Sequence, residues 1–580
     1  MAKRREVLKA GAMAVASTPA IFGGAALPRM AQAQLCRPEG IRSPLTEPDS
    51  PPVTPYSTPI YIPPAMTPVD PASLTPPPDP NRHQRFDEFQ PVKHYVQNYT
   101  EGLWEYHPAL SALNPYSGGS LGVGSLAWMM NGATPGETLV ARYGEPVFVR
   151  RYNNLPTTEN ALIPFGLPYI TTHLHNAHTA SESDGFPMDF VGPGQDEYGE
   201  YWDHHYAMMY ARNDPREALA SLWYHDHMAD FTATNVYAGL SAMAVFYDDL
   251  DSGDENDPNP DALRLPGTYG KYDIYLILHD VRFDQTGNPT YNVFDTDGHL
   301  GDLITVNRKV SPYMEVEPRK YRFRIVDGGP SRFYELALDD SSEMFVIAGD
   351  GNLLEEPVSV TSLVFGPANR QDVIIDFSRY NVGDSINMLN LMEQVNGQGP
   401  TGRRLEGPDR MPVMQFRVKP LEGPDNSRIP DFMRALPPIN LKEVVAEREW
   451  VFDHDMGLWT INGDFFDPTR IDARPQQGTA EIWTFRNAGT SWAHPVHVHF
   501  EEFQVLEWNG RPPTGVLRSR KDVATLGPND VARVFYRFDD FLGRFPIHCH
   551  NNVHEDNAMM DRWDIIPNQG GGHGGGQWHR

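Results

Sequence analysis

Three segments of the chain share a pattern in which apolar and polar residues alternate before a turn. They read EPVFVRRYNNL from Glu145, RKYRFRIVDGG from Arg319 and TAEIWTFRNAG from Thr479. Alternation of this kind is typical of a half-buried β-strand, because successive side chains of a strand point to opposite faces. The repeat therefore predicts three β-domains made of short strands with Gly and Pro turns, and an all-β fold of Greek-key sandwiches.

Length and composition agree with several domains. The chain has 580 residues, of which 40% are hydrophobic, and domains usually take ~100 to 200 residues each. Two acidic or proline-containing stretches, 248–266 and 420–438, interrupt the strand pattern and favour domain boundaries. We therefore expect domain 1 at residues 86–250, domain 2 at 267–420 and domain 3 at 440–567.

The first 33 residues have the pattern of an export signal. The pair RR at residues 4–5 precedes an apolar run rich in Ala and Gly, which ends at the small-x-small sequence AQA at residues 31–33. Paired arginines in this position resemble a twin-arginine signal. We expect an exported protein, periplasmic or extracellular. A cytoplasmic protein with a basic N-terminus is the alternative.

The segments outside the domains have biased compositions. Residues 34–85 are rich in proline, which predicts an extended arm on the surface, and residues 568–580 predict a flexible Gly/His tail. No long apolar span follows the N-terminal signal, so we expect no membrane span. The net charge of −28 argues against nucleic acid as a partner. Nothing in the sequence predicts an oligomeric state.

The candidate chemistry lies in four histidine clusters. These are HLH (His173, His175), HDH (His225, His227), HPVHVH (His494, His497, His499) and HCHNNVH (His548, His550, His554). One His-x-His pair is weak, because two histidines on one strand face are more often surface or hydrogen-bonded core residues. Four clusters with a cysteine inside the last favour metal binding. Domain 2 has only two unpaired histidines, so we expect its neighbours to hold the metal between them.

The last cluster, HCHNNVHEDNAMM from His548, predicts ligands for two different metal centres. On a strand, Cys549 points to one face while His548 and His550 point to the other. A thiolate, two imidazoles and a weak thioether form a blue copper site, and Cys549, His554 and Met559 supply three of these groups. The opposite face would belong to a nitrogen-only centre.

In this order, the four clusters resemble those of the multicopper oxidases. The segments THLHNAHTASESDGFP, LWYHDHMADFTATNVYAGL, HPVHVHFEEFQVL and HCHNNVHEDNAMM are most similar to the branch of bacterial spore-coat laccase, bilirubin oxidase and phenoxazinone synthase. The likeness runs from about Phe86 to about Pro567. One departure is Asn176, where relatives usually have Gly. The resemblance implies three cupredoxin-like domains and four copper ions, one type 1, one type 2 and two type 3.

The resemblance also implies a role for each ligand. Type 1 copper would take Cys549, His494, His554 and, as the axial ligand in preference to Met560, Met559. The other eight histidines would hold a trinuclear cluster: His173 and His497 the type 2 copper, His175, His225 and His550 one type 3 copper, and His227, His499 and His548 the other.

Several residues near the ligands have implied or expected roles. Asp184 and Glu555 match the acids that deliver protons in this family, the alternatives being a solvated loop residue or an acid that orients a ligand imidazole. The resemblance implies that the ring edge of His494 faces the reducing substrate. The remaining histidines nearby, His178, His204 and His205, are expected to be loop residues and not ligands.

We expect a laccase-like oxidase that couples one-electron oxidation of organic donors to four-electron reduction of dioxygen to water. The resemblance favours phenols and aminophenols. The acidic surface, with Glu501 and Glu502 just after His499, makes Mn(II) or Cu(I) the alternative donors, although strand alternation predicts that these two glutamates point to opposite faces. A non-enzymatic copper-binding or electron-transfer cupredoxin is a further alternative. Such a protein would not need eight additional histidines.

Overall fold

The computed structural model describes residues 48–194, 199–455 and 457–568. These residues form six β-sheets, paired into three sandwiches, so the predicted all-β, cupredoxin-like fold is confirmed. The predicted export signal, the first part of the proline-rich arm and nearly all of the Gly/His tail lie outside the described residues. Among the described residues, no helix combines the length and apolar character needed to cross a membrane.

The first sandwich contains two four-stranded sheets, in the orders β2-β1-β4-β6 and β3-β8-β7-β5. Its strands are β1 (Lys93–Trp104), β2 (Ser125–Met130), β3 (Leu139–Arg142), β4 (Val147–Asn153), β5 (Thr172–Leu174), β6 (Tyr201–Tyr206), β7 (Ser221–Asp226) and β8 (Ser241–Tyr247). Its short helices are α1 (Pro108–Ser111), α2 (Ser181–Asp184) and α3 (Thr232–Ala238).

The second sandwich pairs a seven-stranded sheet with a five-stranded one, in the orders β11-β10-β9-β13-β18-β15-β16 and β12-β20-β19-β14-β17. Its strands are β9 (Asp273–Val281), β10 (Leu303–Val306), β11 (Lys309–Val310), β12 (Tyr313–Val316), β13 (Lys320–Asp327), β14 (Tyr334–Leu338), β15 (Met344–Gly349), β16 (Asn352–Val360), β17 (Leu363–Phe365), β18 (Arg370–Asp376), β19 (Ser385–Asn390) and β20 (Met411–Val418).

The third sandwich has sheets in the orders β22-β21-β23-β28-β25-β26 and β27-β24-β29-β30. Its elements are β21 (Val444–Asp455), β22 (Leu458–Ile461), β23 (Thr479–Asn487), β24 (His494–Val498), β25 (Phe503–Trp508), β26 (Arg520–Lys521), β27 (Val523–Leu526), β28 (Val531–Phe538), β29 (Gly543–Cys549), α4 (Asn552–Asp556) and β30 (Met560–Ile565). The residue limits of the three domains stay a prediction.

The repeated sequence pattern occupies the same place in each sandwich. Strands β4, β13 and β23 pair in parallel with the first strand of their sandwich, which is β1, β9 or β21. Each pairs antiparallel on its other side, with β6, β18 or β28. The alternating pattern therefore predicted the central strand of three equivalent sheets.

Buried charges fasten the first two sandwiches to each other. The guanidinium of Arg324 on β13 donates to both carboxylate oxygens of Asp273, each at 2.7 Å, and to the hydroxyl of Ser221 on β7, also at 2.7 Å. All three residues are fully buried. A bidentate pair of this kind fixes the orientation of both partners. The pair fixes the guanidinium within the second sandwich, and its hydrogen bond to Ser221 connects that sandwich to the sheet that carries two of the histidine clusters.

The described part of the proline-rich arm contacts all three sandwiches. The amide of Ile60 donates to the carbonyl of Tyr313, and that of Met66 to the carbonyl of Thr138. Further along, the Gln84 side chain donates to the carbonyl of Leu542 at 2.9 Å. The arm therefore follows the junctions between the sandwiches.

Candidate metal centres

Strand pairing brings the histidine clusters together in two pairs. In the first sandwich, His173 on β5 lies directly opposite His225 on β7. In the third, His497 on β24 lies opposite His548 on β29, and Val496 lies opposite Cys549. Because side chains of a strand alternate between faces, the thiol leaves the sheet on the side away from the neighbouring histidines.

The mononuclear set is built from the ends of β24 and β29 and from α4. The Cys549 sulfur lies 3.4 Å from Nδ1 of His494 and 3.6 Å from Nδ1 of His554. All three side chains are fully buried, and burial raises the pKa of the Cys549 thiol well above its usual value. A buried thiol facing two imidazole nitrogens is a soft donor set suited to copper.

The two candidate methionines differ in position. Met559 precedes β30 and packs in the same buried cluster as Cys549, and its carbonyl accepts a hydrogen bond from the Cys549 amide. Met560 is the first residue of β30 and lies opposite His548. The structure therefore brings Met559 to the mononuclear set through the turn that follows α4.

The second sandwich supplies no candidate ligand, yet its loop contacts His554. The Nε2–H of His554 donates to the carbonyl of Asp297 at 2.9 Å, which leaves Nδ1 unprotonated and facing the cysteine. On the other side, the indole of Trp459 stacks on the His554 ring, with centroids 3.6 Å apart and an interplanar angle of 20°. Both contacts hold the imidazole in one orientation.

The other eight histidines meet where the first and third sandwiches face each other. All eight are buried. They form three groups, within each of which the ligand atoms lie within 4.8 Å of one another: His173, His175 and His497; His175, His225 and His550; and His227, His499 and His548. The first two groups share His175. Two of these groups are the trios that the resemblance implies for the type 3 copper ions, and the third contains the pair implied for type 2.

The trio His227, His499 and His548 has the protonation pattern of a cation site. Their Nε2 atoms lie 3.1 to 3.2 Å from one another. Each Nδ1 faces a carboxylate: Asp184 at 2.7 Å from His499, and Glu555 at 3.0 Å from His548 and 3.4 Å from His227. A carboxylate beside Nδ1 favours the tautomer with the proton on that nitrogen, and in this tautomer three Nε2 lone pairs converge. Their separation suits a first-row metal ion about 2 Å from each nitrogen.

The remaining histidines fit copper in the same way. His173 and His497 donate from Nδ1 to backbone carbonyls of Asp184 and Asp522, so their Nε2 lone pairs face each other at 3.4 Å. In the last trio, Nε2 of His225 and His550 and Nδ1 of His175 are buried without a hydrogen-bond partner among the described residues. Buried nitrogens left in this state are costly unless a metal ion binds them.

Burial favours the neutral form of an imidazole, which is the form that binds a metal ion. It lowers the pKa of His225 to about 4 and that of His227 to about 3. At the mononuclear set, burial and then the nearby imidazole of His454 lower the pKa of His494 to about 3.

An acid that the sequence did not reveal connects the centre to the second sandwich. The Asp522 carboxylate lies 3.3 Å from Nε2 of His175, and its carbonyl accepts from His497. Arg370 on β18 donates to both Asp522 oxygens, at 2.6 and 2.5 Å. Asp522 is the single residue between β26 and β27. The sequence around it matches no motif. Only the folded chain reveals its position.

The two predicted acids lie beside ligand rings and are buried, so neither is a solvated loop residue. Asp184 ends α2 and contacts His499, and burial raises its pKa well above the usual value. Glu555 accepts hydrogen bonds from the hydroxyl of Thr232 at 2.6 Å and the amide of Asn552 at 2.9 Å. Burial works to raise the pKa of Glu555, but His548 and then His227 outweigh it and hold that pKa well below the usual value.

Asn176, the departure from the family pattern, adopts the conformation that a glycine would. Its φ is 55°, in the left-handed region that Asn tolerates better than most residues. Its side-chain amide also donates to the carbonyl of Glu501 at 3.0 Å. The substitution therefore preserves the turn after the first histidine pair.

Two sequence expectations about this region are wrong. His204 and His205 lie on strand β6 and not in a loop. Glu501 and Glu502 fall between β24 and β25, so strand alternation does not separate them, and both face Arg520, at 3.5 and 3.1 Å. Glu501 also pairs with His178 at 2.6 Å. Both glutamates are buried, and each forms an ion pair with a cationic side chain.

Known proteins resemble the chain in sequence and in fold. Multicopper oxidase family profiles match residues 241–397 and 440–569. Bilirubin oxidase from Albifimbria verrucaria is 32% identical over 455 residues, which cover 76% of this chain and 73% of that protein. Laccase from Bacillus subtilis (strain 168) is 32% identical over 489 residues, which cover 76% and 90%.

Among solved structures, the McoA multicopper oxidase 2F4 variant from the hyperthermophile Aquifex aeolicus has a TM-score of 0.67 at 25% identity and covers 82% of this chain and 97% of that one. The fold, the converging imidazoles and the sequence identity to two related enzymes agree. The chain belongs to the multicopper oxidase family, in the branch of laccase and bilirubin oxidase, and is an oxidoreductase that uses four copper ions and takes oxygen as its acceptor.

Proposed function

We propose that this oxidase takes its electrons from phenols and aminophenols. Two relatives at 32% identity are a laccase and a bilirubin oxidase, whose names denote organic donors. In this chain, the proposal rests on the finding that both glutamates after His499 are already paired with cationic side chains. Glu501 is engaged by His178 and Glu502 by Arg520, so neither supports the alternative of Mn(II) or Cu(I) as donor.

The roles of the site residues form part of this proposal. Copper, when bound, supplies one-electron oxidation of the donor and reduction of dioxygen to water. Cys549, His494, His554 and Met559 would hold the mononuclear ion, and the eight other histidines the trinuclear cluster. Because His548 and His550 adjoin Cys549 in the chain, a short bonded path joins the two ligand sets.

Protons are the other reactant, since reduction of dioxygen to water consumes them. We propose that Asp184 and Glu555 deliver protons beside the cluster, because both carboxyl groups are buried against ligand imidazoles. Burial raises the pKa of Asp184, so that this group holds a proton, whereas the carboxylate of Glu555 would accept protons and pass them on. Thr232 and Asn552 fix the orientation of Glu555 through their hydrogen bonds to it. The two acids proposed to deliver protons therefore lie beside the histidines assigned to the trinuclear cluster.

Export through the twin-arginine route is a separate proposal and rests on the sequence pattern of residues 1–33. Replacing Arg4 and Arg5 by lysine should retain the protein in the cytoplasm, as measured by cell fractionation. Unchanged export of that double variant would overturn this proposal without affecting the oxidase.

The donor proposal is tested by steady-state oxygen consumption of the copper-loaded protein. We expect higher kcat/KM with 2-aminophenol and 2,6-dimethoxyphenol than with manganous and cuprous salts. A clear advantage for either metal ion would overturn the choice of organic donors.

A further inference from the structure

A ladder of aromatic rings leads from the mononuclear ligands toward the surface. Trp459 stacks on His554 at 3.6 Å between centroids and contacts His494 at 5.8 Å. His454 lies 4.0 Å from Trp459 at an interplanar angle of 35°. The ring of Trp492 follows, 4.2 Å from His454. Four rings therefore pack in succession.

The order of the rings follows from their distances. Two imidazoles that each lie within 4.0 Å of one indole would overlap if they shared a face, so His554 and His454 cover opposite faces of Trp459. Trp459 and His554 are fully buried, whereas His454 and Trp492 are partly exposed. The exposed end of the ladder is therefore an imidazole beside an indole.

This exposed end suits an aromatic donor. The indole of Trp492 is partly exposed, and aromatic pairs gain stability beyond the area they bury. Trp459 connects His454 to both mononuclear ligands, because its ring packs on His454 and on His554 and lies 5.8 Å from His494. A donor at this position would lie within one or two rings of the ligand set.

A phenol that gives up one electron must also lose a proton. Burial and neighbouring groups keep the ligand imidazoles neutral, and their nitrogens are needed for the metal, so they do not serve as the base. Imidazole is the side chain best suited to take a proton near neutral pH, and one ring nitrogen suffices while the other anchors the ring. In this ladder His454 is the imidazole that is partly exposed.

We propose that His454 accepts the proton of a phenolic donor bound against Trp492 as the donor is oxidised. The O–H bond breaks, the proton moves to a ring nitrogen of His454, one electron leaves toward His494 and His554, and a phenoxyl radical is released. His454 then returns the proton to solvent. The inference rests on the proposed phenol oxidation and names a residue that the ligand motifs do not contain.

The test compares a donor that must lose a proton with one that has none. In His454→Gln, kcat/KM for 2,6-dimethoxyphenol should fall about 100-fold, the lower end of the usual contribution of a general base, while kcat/KM for ferrocyanide stays within about twofold of the wild type. His454→Glu, which restores a base, should recover part of the loss. His94→Gln is the matched control. His94 is also partly exposed and packs on the ring of Phe148, and both residues lie far from His454 in the sequence.

A second readout does not depend on turnover. The phenol 4-nitrophenol, which resists oxidation, turns yellow when deprotonated, so absorption reports whether the bound ligand has lost its proton. The yellow form should be abundant on the wild type and on His94→Gln, and scarce on His454→Gln. Equal bound phenolate on all three proteins, or equal loss of both donors in His454→Gln, would overturn the role of His454. Failure of the wild type to oxidise any phenol would instead overturn the proposed function.

Discussion

Replacing Asp522 by Asn should destabilise the protein and loosen the trinuclear site together. Asp522 is fully buried and receives two hydrogen bonds from the Arg370 guanidinium, which is also fully buried. Burial works to lower the pKa of Arg370, but the Asp522 carboxylate outweighs it and raises that pKa. An arginine guanidinium is not deprotonated in proteins, so Arg370 stays charged after the substitution and loses the carboxylate that accepts two of its hydrogen bonds.

The magnitude follows from the burial of both partners. Removing one member of a buried ion pair costs about 3 to 5 kcal/mol, because the remaining charge is left without compensation. For a cooperative unit of roughly 150 to 250 residues, each kcal/mol lowers the melting temperature by about 2 to 4 °C. The expected drop is therefore about 6 to 20 °C. Part of it should appear as weaker copper retention, since Asp522 also positions His175 and His497.

The assay is thermal unfolding with copper analysis, before and after dialysis against a mild chelator. The matched control is Glu449→Gln, which breaks the exposed Arg486–Glu449 pair. An exposed pair contributes only about 0 to 1 kcal/mol, so this control should shift the melting temperature by a few degrees at most. A shift in Asp522→Asn no larger than that of the control, with full copper retention, would refute the reasoning.

Three further outcomes are expected. Cys549→Ser should abolish the intense blue absorption and turnover while most of the trinuclear copper stays bound, as seen by optical spectra and copper analysis. Glu555→Gln should slow reoxidation by dioxygen more than anaerobic reduction by a phenol, as measured by stopped flow. His178→Gln should flatten the pH dependence of thermal stability. Burial works to lower the pKa of His178, but Glu501 and Asp540 outweigh it and raise the pKa to about 10. Because the folded-state pKa exceeds the ordinary 6.5, the protonated ring adds stability below about pH 6.5 that is lost as the pH rises toward 10.

Each of these expectations has a contrary outcome. A blue band that survives in Cys549→Ser would remove the thiolate from the mononuclear site. Equal slowing of both half-reactions in Glu555→Gln would indicate that the carboxylate only orients its histidines. If wild type and His178→Gln lose the same stability between pH 7 and pH 10, His178 is not a protonated group stabilised by Glu501 and Asp540.

The sequence predicted the features that depend on local spacing. Alternating residues identified β4, β13 and β23, because the two-residue period of a strand is visible in the chain itself. The alternation at His548, Cys549 and His550 separated the two ligand sets for the same reason. The histidine trios were obtained through the family resemblance, and the structure groups the same residues.

Features that depend on chain segments far apart were missed. Asp522 and Arg370 are 152 residues apart in sequence, and neither carries a motif. His454 became a candidate only when its ring was found against Trp459 and Trp492. The error over Glu501 and Glu502 arose because β24 ends at Val498, before the glutamates, so the two-residue period no longer applied.

One measurement tests the oxidase most directly: oxygen consumption and product formation by copper-loaded protein supplied with 2,6-dimethoxyphenol, with copper counted in the same sample. The account predicts four copper ions per chain, about four phenols oxidised for each dioxygen consumed, and no oxygen returned when catalase is added. A blue, copper-loaded protein that consumes no oxygen, or that releases peroxide as its main product, would contradict it.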